Sequence, residues 1–282
     1  MKYILKLLTI FIPMVIFSPF VQAAQNVADY ATSWQESEMS RARLVSSVNG
    51  TRGLREVVLG FHIQMSQGWK TYWRSPGDSG IAPVLKWEGS ENLKSVEILW
   101  PQPEVFDLYG FSTRGYKKEI VFPLRIKLAN PGKKIQVKLD ITYGVCAEIC
   151  IPLRQNFTLE LPADDATAST SAALIEAFKE RVPQPFGKAS IVTQLSLTQI
   201  SENTLRANLN SDVVFQKPVL IFESDDGDYF DIAEVKISPN GKQAEFFIKA
   251  DLVKRSKKLK GRTITVTVID RDRSAAGNVK VQ

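Results

Sequence analysis

The chain has few of the side chains on which most catalytic and metal sites depend. Its 282 residues include two cysteines and one histidine, and they contain no G-x-S-x-G pattern and no pair of acids that stands out. A closed structural zinc site needs four ligands, whereas the cysteines and the histidine together supply three. Hydrolytic catalysis therefore has little support. We expect no cofactor and no bound metal, and the two cysteines remain as the main reactive group.

Long hydrophobic runs are missing after the first residues. Residues 1–23 begin with Lys2 and Lys6 and continue with an apolar stretch, Leu7 to Phe17, that is too short to span a bilayer. This pattern is typical of a secretory signal peptide, with cleavage after Ala23. We therefore expect an exported protein that does not span the membrane once processed, in a compartment where disulfides persist.

A strong excess of charge of one sign is also missing. Cleavage after Ala23 leaves 259 residues, with 34 basic and 30 acidic side chains. The one dense cationic run, residues 255–260, predicts a solvated loop rather than a patch for nucleic acid or membrane. We therefore expect no nucleic acid among the partners.

Cys146 and Cys150 lie where two predicted strands meet. Residues 134–142 and 156–161 alternate apolar and polar side chains, as half-buried strands do. Four steps along an extended strand would separate the two Cα atoms by about 13 Å, whereas a disulfide needs roughly 4.4–6.8 Å. A bonded pair therefore requires a turn at residues 147–149, either a hairpin loop or one helical turn.

The small size of this loop favours a redox pair over a structural staple. A loop of about five residues contributes about 2 kcal/mol through chain entropy, against about 4.7 kcal/mol for 100 residues. We interpret Cys146 and Cys150 as a catalytic dithiol/disulfide pair, with a structural clip as the alternative. No basic residue flanks either cysteine along the chain, and Glu148 lies between them, which disfavours a thiolate. Pro152 lacks an N–H, which predicts an irregular start or an edge position for the outgoing strand.

Short strands separated by turn signals predict an all-β fold. We expect an antiparallel β-sandwich over residues 24–161, with its first part, residues 24–40, as a loose lead-in. Residues 162–185 are predicted to be a linker with a short helix. A second, smaller sandwich is expected over residues 186–282, where the sequence has no cysteine, histidine or nucleotide-binding glycine motif.

Three further features of the first predicted sandwich are relevant to function. In the strand around residues 54–65, His62 lies on the face opposite the apolar stripe, which predicts a surface or groove histidine rather than a ligand. Residues 69–73 carry three aromatic rings, for which core packing is the more common outcome than a recognition groove. Residues 106–111 show weak periodicity and carry four large apolar side chains, which predicts a loop that covers or binds something.

These features together resemble the N-terminal periplasmic region of the DsbD and ScsB thiol:disulfide interchange proteins. The resemblance covers residues 69–152, and the trailing domain is more similar to the ScsB branch. It rests on four segments: Trp69-Lys70-Thr71-Tyr72-Trp73-Arg74-Ser75-Pro76-Gly77-Asp78-Ser79-Gly80, Trp100-Pro101-Gln102-Pro103, Phe106-Asp107-Leu108-Tyr109-Gly110 and Tyr143-Gly144-Val145-Cys146-Ala147-Glu148-Ile149-Cys150-Ile151-Pro152.

The resemblance implies a periplasmic protein whose first domain is immunoglobulin-like and relays reducing equivalents. It implies a thioredoxin-like or DsbD/ScsB-type membrane electron donor, and exported thiol oxidoreductases as acceptors. Cys150 would be the exchanging cysteine and Cys146 its resolving partner. A cap loop would shield the disulfide, with the side chains of Phe106, Asp107, Leu108, Tyr109 and Phe111.

Two departures from the family leave other functions open. DsbD has a longer spacing between its cysteines, and the family proteins continue into a membrane electron-transfer domain, whereas this sequence stops at Gln282. One alternative is a periplasmic protein-binding module in which the disulfide is structural. Another is copper handling, since Cys146, Cys150 and His62 would offer a soft Cu(I) site.

Overall fold

The computed structural model describes residues 30–108, 111–188, 190–224, 227–253 and 258–282. Within these ranges the chain forms β-sheets in two sandwiches, with a short α-helix between them, so the predicted all-β fold is confirmed. The predicted signal peptide lies outside the described residues. No helix in the described ranges combines the length and the apolar character that crossing a bilayer requires.

The first sandwich consists of two sheets. Its strands in the described ranges are β1 (Gln35–Glu36), β2 (Ser40–Ser46), β3 (Glu56–Met65), β4 (Lys70–Gly77), β5 (Val84–Lys86), β6 (Leu93–Ile98), β7 (Glu104–Leu108), β8 (Phe111–Lys117), β9 (Glu119–Leu128), β10 (Ile135–Cys146) and β11 (Cys150–Leu161). One sheet, the front sheet, has the strand order β1-β2-β3-β9-β6. The other, the disulfide sheet, has the order β11-β10-β4-β8-β7, with β5 paired to β10.

Alternating side chains build the core between these two sheets. On the front sheet, the ring of Phe61 is fully buried and lies near Phe122 of the same sheet, with 6.5 Å between ring centroids. Across the sandwich it meets Tyr143 and Phe157 of the disulfide sheet at 5.8 Å and 5.7 Å. Since odd-numbered residues of β10 face this core, Cys146 at its end projects to the outer face.

The outer face of the front sheet is covered by the N-terminal segment. Part of the predicted loose lead-in forms β1, which pairs with β2, and the Trp34 ring lies edge-on to His62 with 4.8 Å between centroids. His62 is 2 % exposed, so its predicted surface position is wrong. Its Nε2 lies 2.7 Å from Glu119 Oε1, and burial lowers the pKa of His62 although Glu119 opposes the shift. The alternating pattern correctly predicted that His62 faces away from the core. It does not show that the N-terminal segment covers that face.

The described helix, α1 (Ala172–Lys179), packs on the same outer face. Its Ile175 is buried, and a Cβ added at Gly60 would meet the Ile175 side chain at 3.0 Å. The glycine therefore lets the helix approach the sheet closely.

The second sandwich follows this helix. Its strands in the described ranges are β12 (Gln184–Pro185), β13 (Gln194–Ser201), β14 (Thr204–Asn210), β15 (Val219–Glu223), β16 (Tyr229–Ile237), β17 (Gln243–Asp251), β18 (Thr263–Asp270) and β19 (Arg273–Lys280). They form the sheets β12-β19-β18-β15 and β13-β14-β17-β16.

Apolar packing and an ion pair join the two sandwiches. Ile221 and Ile269 of the second sandwich are buried against the core cluster of the first. The Arg74 guanidinium of β4 donates two hydrogen bonds to the Glu223 carboxylate of β15, at 2.8 Å and 2.9 Å. This fork geometry fixes orientation better than a single bond would. β4 is therefore shared between the disulfide sheet and the contact with the second sandwich.

Candidate functional site

Cys146 and Cys150 close a β-hairpin at the edge of the disulfide sheet. The pairing of β10 with β11 continues without a break from Ile135–Leu161 to the two cysteines, and the chain turns at residues 147–149 as predicted. The cysteines are joined in a disulfide with their Cα atoms 4.2 Å apart. Pro152 lies on the edge strand β11, where a missing N–H is tolerated, so its predicted position is confirmed.

The two sulfur-bearing residues differ in exposure. Cys146 is 5 % exposed, whereas Cys150 is an exposed residue at the start of β11. Ile149 beside it has 67 % of its surface exposed, which is unusual for a large apolar side chain. An approaching thiolate therefore meets Cys150 first, and a partner can contact Ile149 at the same time.

Tyr72 of β4 contacts the disulfide directly. Its hydroxyl oxygen lies 3.1 Å from Cys150 Sγ, and because a disulfide sulfur carries no hydrogen, the hydroxyl is the donor. Tyr72 is 1 % exposed, and burial raises the pKa of its phenol, which keeps the donor proton in place. The Ser79 carbonyl oxygen lies 3.9 Å from the same sulfur. A Cys150 thiol formed on reduction would face this acceptor.

The chain after β4 folds over the outer face beside the disulfide. A Cβ added at Gly144 would lie 2.6 Å from Ile81 Cβ and 3.2 Å from the Tyr72 ring. A Cβ added at Gly80 would lie 2.6 Å from that ring. The two distances of 2.6 Å are shorter than real Cβ atoms tolerate. Glycine at positions 80 and 144 therefore allows this segment to hold the Tyr72 ring in place.

A pair of lysines lies on the other side of Cys146. Lys70 of β4 is the cross-strand neighbour of Cys146, and Lys117 of β8 is the cross-strand neighbour of Lys70. Their ammonium groups lie 5.1 Å and 4.3 Å from the ring centroid of Phe106. Burial and then the charge of Lys117 lower the pKa of Lys70. A basic residue is therefore the cross-strand neighbour of Cys146, although no basic residue flanks Cys146 along the chain.

The predicted cap loop is part of a β-hairpin. β7 and β8 pair from Glu104–Gly115 to Leu108–Phe111, so the description of residues 106–111 as an irregular loop is wrong. Phe106 reaches the lysine next to Cys146, which brings the described end of the hairpin near the disulfide. Tyr109 lies outside the described residues, and the structure describes only the backbone of Asp107, Leu108 and Phe111. Shielding of the disulfide stays a prediction.

His62 is not brought to the cysteines. It lies on the outer face of the front sheet, whereas Cys146 and Cys150 lie on the outer face of the disulfide sheet, with the core between them. In the described ranges no three side chains of histidine, cysteine, aspartate or glutamate form a cluster fit for a metal ion. The three-ligand Cu(I) site considered from the sequence is therefore not assembled.

Sequence reasoning missed Lys70 and Tyr72. Both lie in the aromatic segment that carries the family resemblance, and their even numbering places them on one face of β4, opposite buried Trp73. A usable signal was thus present in the segment. What alternation does not supply is the register between β4 and β10, which are some seventy residues apart along the chain.

Two protein families match different parts of the chain. Residues 51–162 match the family described as the N-terminal domain of thiol:disulfide interchange protein DsbD. Residues 181–282 match a family described as a domain of unknown function, DUF8393. No curated protein matches the sequence of the chain.

One solved structure has the same fold over most of the chain. The N-terminal periplasmic domain of ScsB from Proteus mirabilis superposes with a TM-score of 0.72 at 21 % identity, covering 90 % of this chain and 99 % of that one. The C-terminal domain of the Streptococcus agalactiae AgI/II polypeptide BspA gives a TM-score of 0.19 at 12 % identity, covering 85 % and 99 %, which is too low to bear on the fold. Residues 51–162 therefore form a domain that resembles the N-terminal domain of DsbD, and this domain carries the Cys146–Cys150 disulfide.

Proposed function

We propose that this protein relays reducing equivalents in the periplasm through Cys146 and Cys150. The donor is a thioredoxin-like protein or a DsbD/ScsB-type membrane protein, and the acceptors are exported thiol oxidoreductases. The observation that carries the proposal is the disulfide at an exposed hairpin end of a DsbD N-terminal domain, with one sulfur accessible and the other buried.

The unequal exposure of the two cysteines supports a different role for each. A donor thiolate attacks Cys150 Sγ, the bond to Cys146 breaks, and its electron pair stays on the Cys146 sulfur as a thiolate. The donor's second thiolate then attacks the donor sulfur of the mixed disulfide and releases Cys150. Two electrons reach this protein, and with two protons they leave both cysteines as thiols. The same steps in reverse order reduce an acceptor disulfide, with the direction set by the reduction potentials.

Trapping of the mixed disulfide tests this assignment. Cys146→Ser leaves Cys150 alone. Once Cys150 is activated as a mixed disulfide with thionitrobenzoate, a thioredoxin-like protein whose resolving cysteine is changed to serine should displace the thionitrobenzoate and form a covalent adduct. Cys150→Ser is the matched variant and should trap little, because Cys146 is buried. Mass spectrometry of the non-reduced samples measures both adducts.

The other outcomes lead to different conclusions. Equal trapping by both variants would remove the assignment of roles, and trapping through Cys146 alone would reverse it. If neither variant forms an adduct with a donor or acceptor thiol protein, the binding module with a structural disulfide becomes the better explanation.

A further inference from the structure

A row of four cross-strand neighbours runs through the disulfide. Register pairs Cys150 with Cys146, Cys146 with Lys70, and Lys70 with Lys117, on β11, β10, β4 and β8 in turn. Directly opposed residues project to the same face, with Cβ atoms about 4.5–5.5 Å apart. The Lys70 side chain therefore begins beside Cys146, on the side away from Cys150.

The two lysines are held by an aromatic ring and a hydroxyl rather than by an acid. Both ammonium groups lie near the Phe106 ring, and Lys70 Nζ donates to Thr113 Oγ1 at 3.3 Å. In the part of the chain that the structure describes, no carboxylate forms an ion pair with either lysine. The ammonium groups of Lys70 and Lys117 are thus held close to each other, and a nearby anion would be stabilised by both.

We propose that Lys70 and Lys117 stabilise the thiolate that is released on Cys146 when a partner thiolate attacks Cys150. The inference rests on the proposed exchange reaction and specifies what makes Cys146 a good leaving group. In that step a sulfur–sulfur bond forms between the partner and Cys150, and the Cys146–Cys150 bond breaks. The electron pair of the broken bond remains on Cys146 Sγ, opposite the lysines. A thiol with a lower pKa leaves faster, and nearby ammonium groups lower a thiol pKa.

The other charged and titratable groups around Cys146 oppose this effect weakly or act elsewhere. Glu148 in the turn carries the opposing charge, but it is exposed and therefore screened by water. The Tyr72 hydroxyl donates to Cys150 rather than to Cys146. Arg154 on β11 is engaged by Asp140 at 2.6 Å and 3.0 Å. Lys70 is half-buried, so its charge is less screened by water than that of Glu148.

The pKa of the Cys146 thiol measures this effect without any partner. In a Cys150→Ser background Cys146 is the single cysteine, and its thiolate is followed by ultraviolet absorbance against pH at low salt. Lys70→Gln should raise the pKa by about 0.3 unit, as expected for a unit charge about 10 Å away in a water-like medium. Adding Lys117→Gln should raise it further, and Lys70→Arg should restore it.

Lys138→Gln is the matched control. Lys138 lies on β10, on the same outer face as Cys146 but eight residues away, which is about 26 Å along the strand. It should leave the pKa of Cys146 unchanged. In the protein with both cysteines, Lys70→Gln should slow reduction by a neutral small thiol about 1.4-fold, since the leaving group becomes more basic.

An unchanged pKa of Cys146 in the double lysine variant would overturn the inference, as would an equal shift in Lys138→Gln. A lower melting temperature without a pKa change would show a packing role and would also overturn it. The result for the lysines can be told apart from the result for the proposed function. If the pKa of Cys146 shifts but no partner adduct forms, the lysine effect is supported and the exchange function is contradicted. If an adduct forms but the pKa does not shift, the exchange function is supported and the lysine effect is contradicted.

Discussion

Reduction of the disulfide should loosen the protein only slightly. The bond closes a loop of about five residues, for which chain entropy predicts a contribution of about 2 kcal/mol. The strands that carry the cysteines are already fixed by continuous pairing from Ile135–Leu161 to Val145–Ile151. The core of the first sandwich lies on the opposite face of β10 from the sulfur atoms, so opening the bond exposes none of it.

This stability difference corresponds to a modest thermal shift. For a chain of this size, 1 kcal/mol changes the melting temperature by about 2–4 °C. We therefore expect the reduced protein to melt no more than about 4–8 °C below the oxidised protein. A carrier that passes through the reduced state in every cycle needs a fold that survives it.

Circular dichroism melts of the oxidised and reduced protein measure this difference. The Cys146→Ala/Cys150→Ala variant is the control, because it removes the bond without a reductant and should melt close to the reduced protein. Loss of the folded state on reduction, or a decrease several times larger than expected, would refute the reasoning and favour a structural clip. A small decrease in the reduced protein but a large one in the variant would point to packing of the sulfur atoms instead.

Two further predictions concern access and pH. Replacing Tyr109 and Phe111 with alanine should speed reduction by a small thiol if these side chains shield the disulfide, and an unchanged rate would place them elsewhere. Because burial lowers the pKa of His62, the unfolded chain binds a proton more readily below pH of about 6.5, so unfolding free energy should fall as pH decreases from there towards 5. His62→Gln should flatten this dependence, and since the chain has one histidine, a slope that persists would contradict the assignment.

The cysteine hairpin could be predicted because its determinants are local. Period-two alternation on both sides of Cys146 and Cys150 identifies the strands, and the reach of a disulfide forces the turn between them. Pro152, which has no N–H to donate, indicates that the outgoing strand lies at the edge of the sheet. The register follows once the turn is fixed, because each further pair in an antiparallel ladder is determined by the one before it.

The surroundings of the disulfide could not be predicted in the same way. Lys70 and Tyr72 reach the cysteines through the non-local pairing of β4 with β10, which two residue pairs establish near the hairpin end. Alternation gives the face of a strand but not its neighbour in the sheet. His62 shows the same limit in another form, since a covering segment rather than its own strand decides whether an outward side chain is exposed. The hairpin at residues 104–117 was missed because its strand pattern is weak.

Strand β4 connects the Cys146–Cys150 disulfide to the second sandwich. Lys70 and Tyr72 lie on one face of the strand, where Lys70 neighbours Cys146 and Tyr72 donates to Cys150. Farther along β4, Arg74 binds Glu223 through two hydrogen bonds. The strand positions both groups that act on the sulfur atoms, so whatever fixes the strand also fixes the site. Arg74 stacks on buried Trp73 as well, with 4.4 Å from its guanidinium carbon to the ring centroid. The second sandwich therefore carries no redox group of its own, yet it holds the strand on which the chemistry of the disulfide depends.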